Sequence, residues 1–229
     1  MQPTPGIRTF DSRHNVLAFP LGGIGTGNVS LGARGDLRDW EIFNQPGKGS
    51  TLPNTFFAIR TQVGDQEPIA RVLEGPLQPP HTLSHGYHPA SNAGLPRLSG
   101  TTFYGEYPLA RVDFDAPEMP VEVRLEAYTP LIPLNPEDSG IPCAILIYHV
   151  TNSGSEPVKL TLVGSLANAT GEPQTDPFGN LKANKSGQNV NVFRDDPTIR
   201  GLSLTSTGIE SGELAYGSMS LVTDHPQVT

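Results

Sequence analysis

Carboxylates cluster around the only tryptophan of the chain, where Asp36, Asp39 and Glu41 lie beside Trp40. Two acids placed across a glycosidic bond can hydrolyse it, one as nucleophile or base and the other as acid. Asp39 and Glu41 share one face only if the segment is extended. Two like charges on that face need a cationic partner such as Arg34 or Arg38. The alternative, which we favour, is a structural network that holds this segment against its surroundings.

Glycines crowd the residues before this cluster. Six of them fall within residues 22–35, where the backbone must turn tightly or approach another surface closely. A dinucleotide-binding fingerprint requires Gly-x-Gly-x-x-Gly, but counting from Gly23 or Gly25 the sixth position is Asn28 or Ser30. The spacing excludes this fingerprint, and we predict no nucleotide and no other cofactor.

Three histidines have a spacing that metal sites use: His81, His85 and His88. On a helix, their i, i+4, i+7 spacing would place them along one face as ligands. Pro80 precedes them and Pro89 follows them, which argues against a helix. We therefore predict a polar loop and no metal site.

The composition limits the classes of function. Glycine (25) and proline (23) make up about a fifth of the 229 residues, which favours many turns over long helices. The net charge of −8 argues against a nucleic-acid partner, because phosphate binding needs clustered Lys and Arg. No apolar run is long enough to predict an integral membrane segment. The single cysteine, Cys143, excludes an intrachain disulfide, and we expect a cytoplasmic location.

Short strand signals follow one another along the chain. Val121–Tyr128 alternates apolar and polar residues, as a strand with one wet face does. Ala144–Val150 is a continuous apolar run suited to the centre of a sheet. The turn residues Asn152–Pro157 then predict an antiparallel hairpin with Val158–Val163. Further strands are predicted at Thr55–Val63, Pro68–Leu73, Thr101–Glu106, Leu109–Phe114, Val190–Phe193, Leu202–Thr205 and Leu214–Thr223.

These patterns predict an all-β fold, an antiparallel β-sandwich with little helix, as a single domain over residues 1–229. Long loops are predicted at Gln78–Leu98 and Gly171–Gln188, where contacts to ligands or other domains are often made. No candidate strand follows Leu214–Thr223 to close its sheet. We therefore expect the sandwich to be incomplete at its C-terminal end.

Two blocks of the glycine-rich region resemble a family signature. Phe19-Pro-Leu-Gly-Gly-Ile-Gly-Thr-Gly27 and Gly35-Asp-Leu-Arg-Asp-Trp-Glu-Ile-Phe-Asn44 are similar to the N-terminal signature of glycoside hydrolase family 116. That family includes the bile-acid β-glucosidases, also called non-lysosomal glucosylceramidases. The similarity continues in order along nearly the whole chain, in the blocks Arg71-Val-Leu-Glu-Gly-Pro76, Leu95-Pro-Arg-Leu98, Phe103-Tyr-Gly-Glu-Tyr-Pro108, Val123–Leu134, Asp138-Ser-Gly-Ile-Pro142 and Val150–Pro157.

The resemblance implies a larger architecture than this sequence contains. In the family, an N-terminal β-sandwich packs against a C-terminal α/α barrel. The barrel carries the nucleophilic carboxylate and the acid/base carboxylate of a retaining mechanism. No region of this sequence resembles the barrel, so we assign no catalytic residue to the chain. We expect a non-catalytic domain that supports a barrel and does not hydrolyse aryl β-glucosides alone.

Contacts with the barrel, or with a β-glucoside at the domain interface, are predicted at Gly22, Gly23, Gly25, Gly27, Asp39, Trp40, Glu41 and Asn44. In this interpretation the glycines form a close-packing surface and Trp40 is its anchor. The alternative is a free-standing carbohydrate-binding module, in which Trp40, Tyr87 and Tyr104 are exposed stacking platforms. A non-enzymatic interaction domain is a third possibility, and no feature of the sequence favours it.

Overall fold

The computed structural model describes residues 7–79, 86–87, 91–171, 174–175, 181–182, 188–213 and 215–229. These residues form sixteen strands and one four-residue helix. In chain order they are β1 (Arg8–Asp11), β2 (Phe19–Leu21), β3 (Asn28–Leu31), β4 (Leu37–Glu41), β5 (Phe56–Val63), β6 (Ile69–Val72), β7 (Gly100–Glu106), β8 (Leu109–Asp115), β9 (Glu122–Tyr128), α1 (Pro136–Ser139), β10 (Ile145–Thr151), β11 (Val158–Ser165), β12 (Gln174–Thr175), β13 (Leu181–Lys182), β14 (Asn189–Asp195), β15 (Arg200–Ser206) and β16 (Met219–Thr223).

Five strands form the largest sheet, in the order β1-β7-β8-β9-β10, and all neighbours are antiparallel. Alternation of side chains determines its buried face. In β9, Val123, Leu125 and Ala127 are buried, whereas Glu122 at its start is exposed. The strand predicted from this alternation is confirmed.

Two three-stranded sheets, β2-β3-β4 and β11-β5-β6, share a hydrophobic core with the five-stranded sheet. Removing such side chains from water stabilises a fold by roughly 1.5–3 kcal/mol each. Fully buried members come from all three sheets and are no more than 1% exposed: Leu21, Leu31, Ile59, Phe103 and Leu125. A further sheet has the order β14-β15-β16, and β12 pairs with β13. The predicted all-β, antiparallel class with little helix is confirmed.

The predicted hairpin between β10 and β11 is wrong. The residues Asn152–Pro157 do connect the two strands, but β10 pairs with β9 and β11 pairs with β5. The connection therefore crosses from one sheet to another, and Tyr148 of β10 packs on Phe57 of β5 with ring centroids 5.3 Å apart. Apolar side chains drive both strands into one core without requiring that they pair with each other. Within the described residues, β10 also lies at a sheet edge instead of at the predicted centre.

The last predicted strand is shorter than expected and has a partner. The strand β16 covers only Met219–Thr223, and it pairs antiparallel with β15, which precedes it. Residue 214, at the start of the predicted span, lies outside the described residues, as do His81, His85 and His88. Cys143 is half-buried, and burial raises the pKa of its thiol. No helix among the described residues has the length and apolar character to cross a bilayer.

Candidate functional site

The candidate site lies in the glycine segment, residues 19–50, which forms the antiparallel sheet β2-β3-β4. Sequence reasoning found no strands here because glycines interrupt the apolar pattern. The pairing of β3 with β4 shifts: Asn28 lies opposite Glu41, but Ser30 lies opposite Arg38. Three steps along β4 therefore match two along β3, which is a β-bulge. Asp39, at this bulge, has a φ of 53°, a conformation that Asp tolerates better than most residues.

Asp39 fixes the loop that follows β4. Its side chain is buried, and its Oδ1 accepts a hydrogen bond of 2.7 Å from the Gly49 amide. Its own amide donates to the Ser50 carbonyl at 2.9 Å, and the amide of Trp40 donates to the Ser50 hydroxyl at 2.9 Å. Arg38 Nε lies 3.7 Å from Asp39 Oδ1 and supplies positive charge beside it. The carboxylate therefore acts as an internal acceptor for the backbone amide of Gly49.

Glu41 is paired on the same strand. Lys48 Nζ lies 2.9 Å from Glu41 Oε2, and it is also 3.8 Å from Asp39 Oδ2. The hydrogen bond from Lys48 lowers the pKa of Glu41, and the same contact raises the pKa of Lys48. Both acids beside the tryptophan therefore have a cationic partner within 4 Å.

Trp40 is buried instead of exposed. Only 6% of it is accessible, and it packs in a small hydrophobic cluster with Leu52 and Ala169, to which Met219 of β16 adds. Its indole Nε1 has no hydrogen-bond partner within the described residues. Trp40 cannot stack on a sugar in this position, so the stacking platform predicted for it is wrong. It anchors the glycine segment instead, and through Met219 it connects that segment to the sheet β14-β15-β16.

The two other aromatic residues proposed as platforms differ from each other. The guanidinium carbon of Arg111 lies 4.1 Å from the ring centroid of Tyr104, so one face of this ring is already covered. Tyr87 is 43% exposed. An aromatic surface built from all three residues does not exist among the described residues.

Asn44 belongs to a tight turn after β4. Phe43 and Asn44 have φ values of 54° and 57°, and the Gln45 amide donates to the Ile42 carbonyl at 3.2 Å. Two consecutive positive φ values are typical of a type I′ turn. Asn44 is exposed, while the Phe43 ring packs so closely on Gly217 that a Cβ there would lie 2.5 Å from it. The turn therefore packs against the residues that lead into β16.

Three of the four predicted contact glycines are packed against this chain itself. A Cβ on Gly22 or Gly27 would lie 2.5 Å from a carbonyl oxygen of the glycine segment, and one on Gly23 would lie 2.3 Å from the Gly140 carbonyl after α1. The Gly22 amide also donates to the Thr129 hydroxyl at 2.7 Å. Gly25 is the exception, because it is exposed and has open space where a Cβ would be. Residues 24–26 form an exposed tip above this packed base.

A buried ionic network lies under the other end of the segment. Arg34 is 3.2 Å from Asp36 and 3.2 Å from Glu74, and Arg97 is 3.0 Å from the same Glu74 oxygen. All four side chains are no more than 13% exposed. Of the two cations predicted as partners, Arg34 pairs with Asp36 in this network and Arg38 lies beside Asp39 on β4. Glu74 and Arg97 were not predicted because the contacts join residues far apart in sequence.

The carboxylates of the glycine segment are arranged to hold its backbone in place and not to transfer protons. Asp36, Asp39 and Glu41 each have a cationic partner, and Asp39 is enclosed by its own loop. Within the described part of the chain, no group of three or more acids, histidines or cysteines is arranged to hold a metal ion. As the favoured interpretation of the sequence expects, these side chains hold the segment from which residues 24–26 project.

A protein-family model matches most of the chain. The family model described as beta-glucosidase 2, glycosyl-hydrolase family 116 N-term, matches residues 18–229. The match includes the glycine segment, the network around Glu74 and all but the first strand. The resemblance predicted from the sequence is confirmed. The chain belongs to glycoside hydrolase family 116, and what it contains is the family's N-terminal domain.

Proposed function

We propose that this chain is the non-catalytic N-terminal β-sandwich domain of a retaining β-glucosidase of the glucosylceramidase type, and that it supports a catalytic α/α barrel. The observation that carries the proposal is an exposed apolar surface beside the glycine tip. We call it the tip surface, and its members are 36% to 103% exposed: Ile24, Leu131, Ile132, Leu134 and Ile141. Such a patch, rimmed by polar residues, is typical of an interaction site.

Hydrogen bonds hold the members of the tip surface together. The Ile24 amide donates to the Ser139 carbonyl at 2.8 Å, which joins the glycine tip to α1. The Ile132 amide donates to the Ser139 hydroxyl at 2.9 Å, and that hydroxyl donates back to the Ile132 carbonyl. The close approach of Gly23 to Gly140 makes this joint possible. The surface is thus formed before any partner binds, which lowers the entropy cost of association.

Among the tip-surface residues, Leu134 gives the strongest indication that a partner covers this surface. It has a φ of 66°, and its side chain is fully exposed to solvent. The left-handed region costs a residue with a Cβ roughly 1–2 kcal/mol. The Asn135 amide donates to the Ile132 carbonyl at 3.0 Å and so closes the turn in which Leu134 lies, while the Asn135 side chain caps α1. A bulky apolar side chain held out in water at such a cost makes sense if a partner covers it.

The residues predicted as contacts take two roles in this proposal. Gly25 and its neighbours at the tip approach the barrel or a β-glucoside at the interface. Gly22, Gly23, Gly27, Asp39, Trp40, Glu41 and Asn44 hold the tip in place from below. The free-standing carbohydrate-binding module is the weaker alternative because Trp40 is buried. We also propose that the protein is cytoplasmic, since it has one cysteine and that thiol has no disulfide partner in the chain.

The experiment is complementation with a separately expressed α/α-barrel domain of a family 116 β-glucosidase. We expect the chain alone to show no aryl β-glucosidase activity, and the mixture to form a complex on size-exclusion chromatography and to turn over substrate. Leu134→Asp and Ile24→Asp weaken the complex, whereas Val192→Asp, at an exposed position of β14, leaves it intact. Turnover by the rigorously purified chain alone would contradict the proposal, as would equal effects of all three variants.

A further inference from the structure

We propose that Asn168 is a latent N-glycosylation site, and that its modification and the native fold exclude each other. Residues 168–170, Asn-Ala-Thr, have the Asn-x-Ser/Thr pattern to which an oligosaccharide is attached in chains that meet a glycosylating enzyme. The proposal rests on the packing around Asn168 and not on the proposed contact with a barrel. Modification before folding prevents the native fold, whereas folding first protects the asparagine.

The first argument is that the whole triplet is buried. Asn168 is 6% exposed, Ala169 is 1% exposed and Thr170 is 0% exposed. Ala169 also belongs to the hydrophobic cluster of Trp40 and Leu52, so the triplet is part of a packed core. Glycosylated asparagines lie at protein surfaces, because the attached oligosaccharide is bulky and polar. In the folded chain, an enzyme therefore cannot reach this side chain.

The second argument is that the reacting nitrogen already uses both of its hydrogens. An asparagine amide carries two N–H donors, and Nδ2 of Asn168 donates to Asn191 Oδ1 at 2.7 Å and to the Thr205 carbonyl at 3.0 Å. In the transfer, Nδ2 loses one proton to a base of the transferase and forms a bond to the anomeric carbon of a lipid-pyrophosphate-linked oligosaccharide. The bond from that carbon to the pyrophosphate oxygen breaks, and the lipid pyrophosphate leaves. The product has one N–H, so at least one of the two hydrogen bonds is lost.

The third argument is that the threonine of the triplet is held by the asparagine itself. The Thr170 hydroxyl donates to Asn168 Oδ1 at 2.6 Å, and the Thr170 amide donates to the same oxygen at 3.0 Å. A bond from a backbone amide to the side chain two residues earlier is an Asx turn. The acceptor pattern requires a hydroxyl at its third position, and here that hydroxyl is buried and bonded. The triplet must unfold locally before it can act as an acceptor.

An attached oligosaccharide would displace the sheet β14-β15-β16. The two acceptors of Nδ2 belong to this sheet, because Asn191 lies in β14 and Thr205 lies in β15. Met219 of β16 packs on the same hydrophobic cluster as Ala169. A sugar on Nδ2 would occupy the space of these strands, so the sheet could not pack against the rest of the fold. We therefore expect a chain modified at Asn168 to leave the cluster around Trp40 uncovered.

The test uses the 229-residue chain, purified in folded form from a bacterial cytoplasm, together with a purified oligosaccharyltransferase and its lipid-pyrophosphate-linked oligosaccharide. One sample is added folded, and the other is diluted from urea directly into the reaction, so that modification competes with folding. Mass spectrometry measures the occupancy of Asn168 separately from that of the same pattern at residues 28–30 and 184–186, the last of which lies outside the described residues. We expect no glycan on Asn168 in the folded sample. In the diluted sample, we expect glycan on Asn168 and loss of those molecules from the native monomer peak on size-exclusion chromatography.

Gly154→Thr provides the matched control, because it gives residues 152–154 the same acceptor pattern in an exposed turn. Asn152 also uses its Nδ2, which donates to the Glu156 carbonyl at 2.8 Å, so burial is the main difference between the two asparagines. We expect the folded variant to be modified at Asn152 and not at Asn168.

Three results would overturn the proposal. The first is modification of Asn168 in the folded variant as fast as that of Asn152. The second is an unmodified Asn168 in the sample diluted from urea, although Asn152 is modified there. The third is glycan on Asn168 in molecules that elute as native monomer and whose amides in β14 and β15 are protected from hydrogen exchange.

Discussion

The ammonium group of Lys48 lies 2.9 Å from a carboxylate oxygen of Glu41 and closes the loop after β4 onto that strand. Gly47, next to Lys48, lies against the Trp40 carbonyl so closely that a Cβ on Gly47 would be 2.3 Å from that oxygen. The ion pair therefore spans a loop whose backbone is already pressed against the strand. It adds an electrostatic contribution that depends on pH.

The pH dependence follows from the direction of the pKa shift. Lys48 lowers the pKa of Glu41 below the ordinary value of 4.5, so the folded state binds this proton less readily than the unfolded state. The stabilisation is present above pH 4.5 and is lost as the pH falls through the lower, folded-state value. Because Lys48 is 69% exposed, we expect Lys48→Met to cost only about 0.5 kcal/mol at pH 7. Urea unfolding at pH 7, 5 and 3 measures the difference between Lys48→Met and the unsubstituted chain, which should be smaller at pH 3 than at pH 7. The same loss of stability at all three pH values would contradict the assignment of this stabilisation to the Lys48–Glu41 ion pair.

Asp39 stabilises the bulge through both its backbone conformation and its carboxylate. Asp39→Ala leaves the Gly49 amide without its acceptor and places alanine at a φ of 53°, so we expect a loss of about 2 kcal/mol in the free energy of unfolding. Asp39→Asn keeps an acceptor oxygen and a residue that tolerates this φ, and should cost less than half as much. Urea denaturation of both variants provides the comparison. Equal losses would mean that the negative charge beside Arg38 dominates.

Close backbone packing at Gly23 gives a prediction for the joint between the glycine tip and α1. A Cβ at this position would lie 2.3 Å from the Gly140 carbonyl oxygen, and backbone cannot move aside as a side chain can. We expect Gly23→Ala to lower the free energy of unfolding by about 1–3 kcal/mol and to increase hydrogen exchange at residues 136–141. Gly94→Ala is the control, because a Cβ there meets open space. Similar stability of the two variants would show that the joint is loose.

Local patterns predicted most of the strands, because alternation and turn residues act over a few positions. The alternation around Leu125 identified β9 correctly, while the glycine segment concealed three strands, since glycine removes the apolar period that marks a strand. Pairing could not be predicted in the same way. The turn before Val158 resembles a hairpin turn, but the choice between β10 and β5 as partner depends on the packing of the whole core.

For the candidate site the sequence favours a structural network over paired catalytic acids, and the cationic partners of Asp36, Asp39 and Glu41 agree with that preference. The sequence places Trp40 between acids, and only the fold shows that the ring is buried against Leu52 and Ala169. The ion pairs of Asp36 and Glu41 involve neighbours in sequence and were within reach of prediction. The contact of Arg97 with Glu74 joins two parts of the chain brought together by β6, and no local pattern marks it.

Asn168 joins the sheet β14-β15-β16 to the cluster around Trp40. Its Oδ1 accepts from the Thr170 amide at 3.0 Å and from the Thr170 hydroxyl at 2.6 Å, while its Nδ2 donates to Asn191 at 2.7 Å and to the Thr205 carbonyl at 3.0 Å. The side chain is buried, so water cannot replace these partners. Asn168→Ala should therefore lower the free energy of unfolding by about 2–3 kcal/mol.

The strands in which hydrogen exchange increases distinguish a joining role of Asn168 from general destabilisation. If Asn168 joins the sheet to the rest of the fold, hydrogen exchange in Asn168→Ala should increase first in β14 and β15 and much less in β9, whose strands pack in the main core. Asn152→Ala is the matched control, because Asn152 also bonds backbone groups, at 2.8 Å and 3.0 Å, but in an exposed turn. It should cost no more than about 1 kcal/mol. Uniform exchange over all sheets in Asn168→Ala would mean that the β14-β15-β16 sheet unfolds together with the core and that Asn168 is not a separate joint.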